Sequence, residues 1–282
     1  MTHFLNSGYT ANLRILTTGF LCPKTVRLVF PVALSNLFYC ISCKINLYLT
    51  LIKFDQMAIS DNLKYVTERI HSACLRSGRQ TGQVSLLAVT KTVSAEHIRA
   101  AAALGLTLIG ENRVQEAWAK VQLLPDLPLS WHMIGHLQSN KVKRALQFAT
   151  VIESVDSPHI ARELDHAAAA QDSIIECFLE VNTSGESRKF GVAPDATEAL
   201  ASEIARLPHL HLTGLMTIGA LSPDSRRIRS CFQSLKTLQE RLNTSGYGIR
   251  HLSMGMSDDF EIAIEEGATL IRLGRALFGE RI

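Results

Sequence analysis

The residue with the clearest chemistry is a lysine at the end of a short apolar run. Lys91 directly follows residues 84–90, which are apolar and rich in β-branched side chains and therefore predict a buried strand. Partial burial of a lysine stem lowers the pKa of its ammonium group, and the neutral amine can then condense with an aldehyde. We therefore expect Lys91 to form a Schiff base. The alternative for such a lysine, taken alone, is a solvated loop position.

A second group of residues, near the C-terminus, predicts an anion site. Ser253 and Met254 lie in a glycine-containing turn before a predicted helix near Asp258, and Gly274 and Arg275 open another short helix after the last apolar run. Glycine-lined turns and helix N-termini bind phosphate through backbone N–H groups. The alternative is that the glycines serve only tight turns.

Arg272 stands beside this predicted anion site, at the end of the last apolar run. A guanidinium group is always charged, so it would keep a ring nitrogen that it faces unprotonated. The alternative is a structural salt bridge from Arg272 to Glu111 or Asp156.

The elements that must position these residues alternate regularly. Apolar runs that predict strands are separated by helical segments, and they lie at residues 84–90, 107–109, 129–134, 150–153, 174–181, 210–216, 249–253 and 269–272. Such alternation predicts a parallel α/β fold, either an open doubly wound sheet or a barrel. No G-x-G-x-x-G sequence follows the first run, and eight repeats in 226 residues are typical of a (β/α)₈ TIM barrel. We expect this barrel to comprise residues 57–282, with its ligand site at the carboxyl ends of the strands.

Several helix boundaries are marked in the sequence. Glycines at 105 and 267 are placed to end helices. Helix starts are predicted at Ser60-Asp61, at Ser94, at Ser157-Pro158, and at two capping-box spacings, Asp195 to Glu198 and Asp258 to Glu261.

Residues 1–56 differ from the rest of the chain. They carry five Lys/Arg and one acid, with an interrupted apolar segment at 28–52 and a C-x-x-C spacing at Cys40 and Cys43. We expect an N-terminal extension outside the fold, with Met57 as the functional start. A targeting or anchor segment is the alternative.

Composition excludes several classes of function. Of the net charge of +3, residues 1–56 hold +4, so the remainder is near −1 and lacks the basic footprint of a nucleic-acid-binding protein. Cys74, Cys177 and Cys231 are isolated and have no metal-ligand spacing, which predicts a reducing, cytoplasmic compartment and no metal site.

Longer motifs surround these residues. They include Ala88-Val-Thr-Lys91-Thr, Gly110-Glu-Asn112-Arg, Trp131-His-Met-Ile-Gly-His, Leu252-Ser-Met-Gly-Met-Ser and Ile271-Arg-Leu-Gly-Arg275. From about Met57 to the C-terminus the chain resembles the pyridoxal phosphate homeostasis proteins. The resemblance implies a barrel of the alanine racemase N-terminal domain type.

The resemblance also implies a set of cofactor contacts. Pyridoxal 5′-phosphate would be held as a Schiff base on Lys91, with Arg272 at the pyridine nitrogen. The phosphate contacts implied are Ser253, Gly274 and Arg275, and Asn112 and Met254 would lie near the ring. No catalytic residue is implied.

The function implied by the resemblance is a monomeric carrier that maintains and supplies intracellular pyridoxal phosphate. Its contacts with pyridoxal-phosphate-dependent enzymes would be transient, and no membrane or nucleic-acid partner is expected for the barrel. Two alternatives remain. One is an amino-acid racemase in which His132, His136 or one of the five tyrosines acts as the second base. The other, less favoured, is a cofactor-free Schiff-base lyase acting on a sugar phosphate.

Overall fold

The computed structural model describes residues 57–279, which contain a closed barrel of eight parallel strands. Each strand pairs with the next along the chain, and β8 closes the ring by pairing with β1. The predicted barrel is thereby confirmed, and the open sheet is excluded. The strands are β1 (Ser85–Val89), β2 (Leu108–Glu111), β3 (Ser130–Met133), β4 (Ala149–Val155), β5 (Ile175–Glu180), β6 (Leu210–Met216), β7 (His251–Ser253) and β8 (Leu270–Leu273).

Helices follow the strands and cover the outside of the barrel. The first helix, α1, occupies residues 57–76 and precedes β1. The others are α2 (Ala95–Ala103), α3 (Val114–Leu123), α4 (Val142–Ala145), α5 (Pro158–Ala169), α6 (Thr197–Ile204), α7 (Ser225–Thr244), α8 (Phe260–Glu265) and α9 (Arg275–Phe278).

Two apolar cores, one on each face of the sheet, explain why the sequences of the strands are continuous apolar runs. The larger lies between the strands and the helices and includes Ala88 and Ile271 of the sheet. The smaller fills the barrel interior and consists of Leu87, Val151, Phe178, Met216 and Leu270, all buried. Because both faces of each strand are covered, apolar residues occupy both sets of alternating positions.

Several predicted helix boundaries are confirmed. The Ser94 and Ser157 side chains accept hydrogen bonds from the N–H groups of His97 and Ile160, and Pro158 is the first residue of α5. Gly105 and Gly267 have positive φ angles of 89° and 99° just past the ends of α2 and α8, a conformation that glycine adopts without steric cost.

Other boundary predictions are wrong. Residues 57–60 are already helical, so Ser60 and Asp61 lie inside α1 rather than at its start. Neither predicted capping box forms, since Ala196 and Asp259 are the N-cap residues of α6 and α8 and neither caps through its side chain. The Asp259 carboxylate instead accepts the N–H of Met256 at 2.5 Å, which ties the loop together before the helix begins.

The predictions for residues 1–56, including the extension and the Cys40–Cys43 spacing, lie outside the described residues. Within residues 57–279, Cys74, Cys177 and Cys231 are buried and form no disulfide. Across the same range, no helix combines the length and apolar character needed to cross a bilayer.

Candidate functional site

A layer of polar side chains lies directly above the apolar interior of the barrel. Val151, Phe178 and Leu270 belong to the interior core, and two residues further along each strand stand Glu153, Glu180 and Arg272. Positions i and i+2 of a strand share a face, so these side chains point into the barrel at its carboxyl end. All three are buried. The barrel mouth, which we define as the space enclosed by the strand ends, therefore has a charged floor.

Arg272 is held in this floor by Ser253 of β7 and by Thr217, the residue after β6. Its guanidinium donates to the Ser253 hydroxyl and to the Thr217 carbonyl, both at 2.7 Å. Burial lowers the pKa of Arg272, and the carboxylates of Glu153, Asp259 and Glu180 oppose that shift. The group nevertheless stays charged because guanidinium deprotonates only at very high pH. The alternative salt bridge to Glu111 or Asp156 is not formed among the described residues; the guanidinium instead bonds to residues that follow or end β6 and β7.

A hydrogen-bonded chain continues from Arg272 across the floor. The Ser253 hydroxyl donates to Glu153 Oε2 at 2.5 Å, and Glu153 Oε1 lies 2.6 Å from Nδ1 of His132. Four strands (β3, β4, β7 and β8) thus contribute to one network. Its fully buried hydroxyl and carboxylate are satisfied, which fixes their geometry.

Glu180 is the exception in this layer. Its Oε2 atom is buried and has no hydrogen-bond partner among the described residues. Burial raises the pKa of Glu180 to about 7, the nearby Asp156 carboxylate adds to the shift, and Arg272 opposes it. The mouth therefore contains a carboxyl group that changes charge near neutral pH.

Lys91 lies across the mouth from Glu180 of β5, in the turn after β1 and next to β8, and its side chain is half-buried. Counting alternate residues from Leu87, an interior residue, places position 91 on the inward-facing side. The next residue, Thr92, has φ of 65°, an uncommon conformation for a β-branched residue. The turn that presents Lys91 therefore has a strained backbone, which the surrounding structure must hold in place.

Asn112 follows β2, the neighbour of β1. Its Oδ1 atom is buried and unpartnered among the described residues. The backbone of Gly135 packs directly against Asn112, because a Cβ atom at position 135 would lie 2.4 Å from the Asn112 carbonyl oxygen. Glycine at 135 is therefore required to bring the loops after β2 and β3 together, and Asn112 offers an acceptor to a donor at the mouth.

The loops after β7 and β8 are joined to each other. The Ser257 hydroxyl accepts the N–H of Ala276 at 3.2 Å, and Arg275 forms an ion pair with Asp258. Gly255 has φ of 93°, and a Cβ atom there would lie 2.5 Å from the Cβ of Ala263, so only glycine fits this turn. Gly274 is the N-cap of α9. Backbone groups of the two loops thus lie side by side.

The structure brings some of the predicted site residues together at the mouth and places the side chain of one of them, Met254, in the core. It joins Ser253 to Arg272, and it places Gly274 and Arg275 next to the β7 loop. Met254 differs, since its side chain is fully buried in the core between strands and helices and its N–H donates to Leu270. Only the main chain of Met254 is near the mouth.

Sequence reasoning missed several residues of the site. Glu153 and Glu180 lie inside predicted strands, Thr217 directly follows one, and Ser257 belongs to the motif that starts at Leu252. Alternation from the interior residues would have selected Glu153 and Glu180. The fifth missed residue, Lys120, carried no signal beyond an i, i+4 spacing to Glu116, which is typical of exposed helix surfaces.

The fold and this polar mouth define a class of protein: a parallel (β/α)₈ barrel with a ligand site at its strand ends. The family model of the alanine racemase N-terminal domain matches residues 56–282. The chain is 42% identical over 226 residues to the pyridoxal phosphate homeostasis protein of Aquifex aeolicus, covering 80% of this chain and 99% of that protein. It is 44% identical over 223 residues to the protein of the same name from Pseudomonas aeruginosa, covering 79% and 96%.

A solved structure agrees with these relatives. PipY of Synechococcus elongatus with pyridoxal phosphate bound is 38% identical, with a TM-score of 0.67, over 76% of this chain and 100% of that one. The present chain belongs to the pyridoxal phosphate homeostasis protein family, which shares the alanine racemase N-terminal domain fold.

Proposed function

We propose that this chain binds pyridoxal 5′-phosphate as a Schiff base on Lys91 and maintains the supply of the free cofactor, without turnover of its own. The observation that carries the proposal is the placement of a half-buried lysine and a buried arginine on the same mouth, in a chain of this family. In the proposed step the Lys91 amine nitrogen bonds to the aldehyde carbon, and the aldehyde oxygen leaves as water.

The donors and acceptors of the mouth fit this ligand. A phosphate ester requires N–H groups and a cation, which the joined β7 and β8 loops offer through Gly274 and Arg275. The orphaned Oδ1 of Asn112 requires a donor, which a hydroxyl on the ligand ring provides. The Arg272 guanidinium suits a ring nitrogen that is an acceptor rather than a donor.

The proposed roles follow these placements. Lys91 holds the aldehyde, Arg272 faces the pyridine nitrogen, Asn112 lies at the ring, and Gly274 and Arg275 hold the phosphate. Ser253 and Met254 were expected at the phosphate and the ring. The Ser253 hydroxyl is already engaged by Glu153 and Arg272, and we propose that it reaches the ligand chiefly through Arg272, while Met254 contributes its main chain.

A carrier role is favoured over catalysis by the charge at position 272. Pyridoxal phosphate, when bound, supplies an electron sink that is strongest with a protonated ring nitrogen. A permanently charged arginine at that nitrogen keeps it unprotonated and weakens the sink. The residues of this mouth therefore suit storage of the aldehyde better than activation of an amino acid.

One observation favours a second candidate, an amino-acid racemase. Glu180 has a pKa of about 7 and a buried, unpartnered oxygen, properties that a general acid or base needs. His132 is a second candidate, because Glu153 holds its Nδ1 and leaves Nε2 as the nitrogen that could exchange a proton. Incubation with L-alanine and chiral analysis decides between the functions: sustained D-alanine formation that is lost in Lys91→Ala would replace the carrier proposal.

The carrier proposal also predicts delivery to other proteins. We propose that a monomer in the cytoplasm transfers the cofactor through transient contacts with pyridoxal-phosphate-dependent enzymes. The test mixes the loaded chain with an apoenzyme and follows recovery of that enzyme's activity, against an equal concentration of free pyridoxal phosphate. Recovery equal to that with the free cofactor supports supply, whereas no recovery over hours contradicts it.

A further inference from the structure

A buried ion cluster lies behind the Lys91 turn and is not explained by ligand contacts. Lys120 of α3 is 7% exposed, and its ammonium group donates to the Thr90 carbonyl at 2.6 Å, to Glu111 Oε1 at 2.7 Å and to Glu116 Oε1 at 2.6 Å. Three acceptors satisfy all three donors of an ammonium group. We call Lys120, Glu111 and Glu116 the clamp.

The clamp grips the chain on both sides of Lys91. The Thr90 hydroxyl donates to Glu111 Oε1 at 2.7 Å, and the Thr92 N–H donates to Glu116 Oε1 at 2.5 Å. Together with the bond from Lys120 to the Thr90 carbonyl, three hydrogen bonds fix the two residues that flank Lys91. The same two carboxylate oxygens accept from Lys120, so the grip depends on that single cation.

The conformation held by the clamp is strained. Thr92 has φ of 65°, and residues in such sparsely populated regions persist only where surrounding structure enforces them. Desolvation also makes a buried ion cluster an expensive way to stabilise a fold. The strained residue, Thr92, and the residues bonded to the buried charges, Thr90 and Thr92, therefore directly flank Lys91, the lysine that the proposed function requires.

We infer that Lys120 is a positioning residue for Lys91: through Glu111 and Glu116 it holds the Thr90–Thr92 turn so that the Lys91 amine meets the aldehyde carbon. The inference rests on the proposed function and deepens it. Burial raises the pKa of Glu111 whereas Lys120 lowers it, so loss of the ammonium also favours protonation of the Glu111 carboxylate. Removal of Lys120 therefore releases both sides of the turn.

The test separates covalent capture from binding of the rest of the ligand. Lys120→Met is compared with wild type and with Lys236→Met, which removes a half-buried helix lysine paired with Glu240 away from the turn. The rate of adduct formation is measured by borohydride trapping with pyridoxal phosphate. Noncovalent affinity is measured with pyridoxine 5′-phosphate, which has an alcohol in place of the aldehyde.

For Lys120→Met we expect capture to slow at least about tenfold, because misplacing a reacting group by about 1 Å costs up to about 100-fold. Affinity for pyridoxine 5′-phosphate should change less than about twofold, and Lys236→Met should match wild type in both. Amide hydrogen exchange of residues 90–93 in the ligand-free variant should be faster. If Lys120→Met does not fold, Glu116→Ala, which removes the Thr92 acceptor at a more exposed position, decides by the same measurements.

Three results would overturn the inference. Capture at the wild-type rate by a folded Lys120→Met shows that the clamp does not position Lys91. A proportional loss of capture and of pyridoxine 5′-phosphate affinity shows a general structural role. A wild-type chain that traps no aldehyde overturns the proposed function as well, and this result distinguishes its failure from that of the clamp alone.

Discussion

Two neighbouring parts of the barrel mouth, the β1–β2 side and the β7–β8 side, which meet where β8 pairs with β1, are built by different means. On the β1–β2 side, one side chain, Lys91, is presented by a strained turn that buried charges of α3 and β2 enforce. On the β7–β8 side, glycine turns such as Gly255 bring backbone groups together, and a single buried arginine supplies the charge. Under the proposed function, the difference would mean that a reactive amine needs a fixed position, whereas an anion needs many weak donors around it.

Substitution of Lys91 should abolish covalent capture of the aldehyde on the β1–β2 side. We expect Lys91→Ala to abolish borohydride-trapped adduct while the fold, followed by circular dichroism, remains, because no bond to the aldehyde carbon can form without the amine. Lys143→Ala, at an exposed position of α4, serves as the control and should retain full capture. Adduct at undiminished yield in Lys91→Ala would assign the chemistry to another residue.

Arg272→Ala tests the charged floor of the β7–β8 side. We expect a shift in the absorbance of the bound cofactor, affinity weaker by about tenfold, and a loss of about 3 kcal/mol in unfolding free energy, since Glu153 is left without its compensating cation. Spectra and urea titrations measure these effects. Arg275→Ala, at the exposed rim, should weaken binding without shifting the spectrum; equal spectra for wild type and Arg272→Ala would make Arg272 structural.

Gly255→Ala tests the backbone cradle. The substitution adds a Cβ that overlaps Ala263 in a left-handed turn, and we expect a loss of about 2–4 kcal/mol in stability. Affinity for pyridoxal phosphate should fall more than affinity for pyridoxal, which lacks the phosphate. Gly248→Ala is the control: its φ is 70°, and no atom lies within 4 Å of the added Cβ, so it has the backbone strain without the overlap. An equal loss of affinity for both ligands would show that this loop does not bind the phosphate.

The smallest expected effect concerns the Glu180 carboxyl on β5, which lies across the mouth from the β8–β1 pairing where the two sides meet. The pKa of Glu180 is raised from 4.5 in the unfolded chain to about 7, so ionisation opposes folding increasingly from pH 4.5 to 7 and fully above it. Glu180→Gln should therefore stabilise the ligand-free chain by about 1–3 kcal/mol at pH 8, and by less at pH 5. Urea unfolding at both pH values, with exposed Glu163→Gln as control, tests this. A gain that is the same at both pH values would contradict the burial argument.

The sequence was most informative where one interaction dominates. All eight strands were predicted because buried parallel strands must be apolar on both faces. Lys91 and Arg272 were proposed for the site because each ends such a run, and their roles stay predictions. Helix starts failed at Asp195 and Asp258, where short-range rules compete with loop hydrogen bonds such as that from Met256 to Asp259. The clamp was missed because burial of Lys120 follows from tertiary packing alone.

The central claim is that Lys91 holds pyridoxal phosphate covalently, and one measurement tests it most directly. The purified chain, with pyridoxal phosphate added, is examined by absorption before and after borohydride, and its peptides are mapped by mass. We predict a band near 420 nm, roughly where a lysine Schiff base of this cofactor absorbs, that disappears on reduction and leaves a pyridoxyl group on Lys91. A colourless chain that stays unmodified at Lys91 would contradict the account.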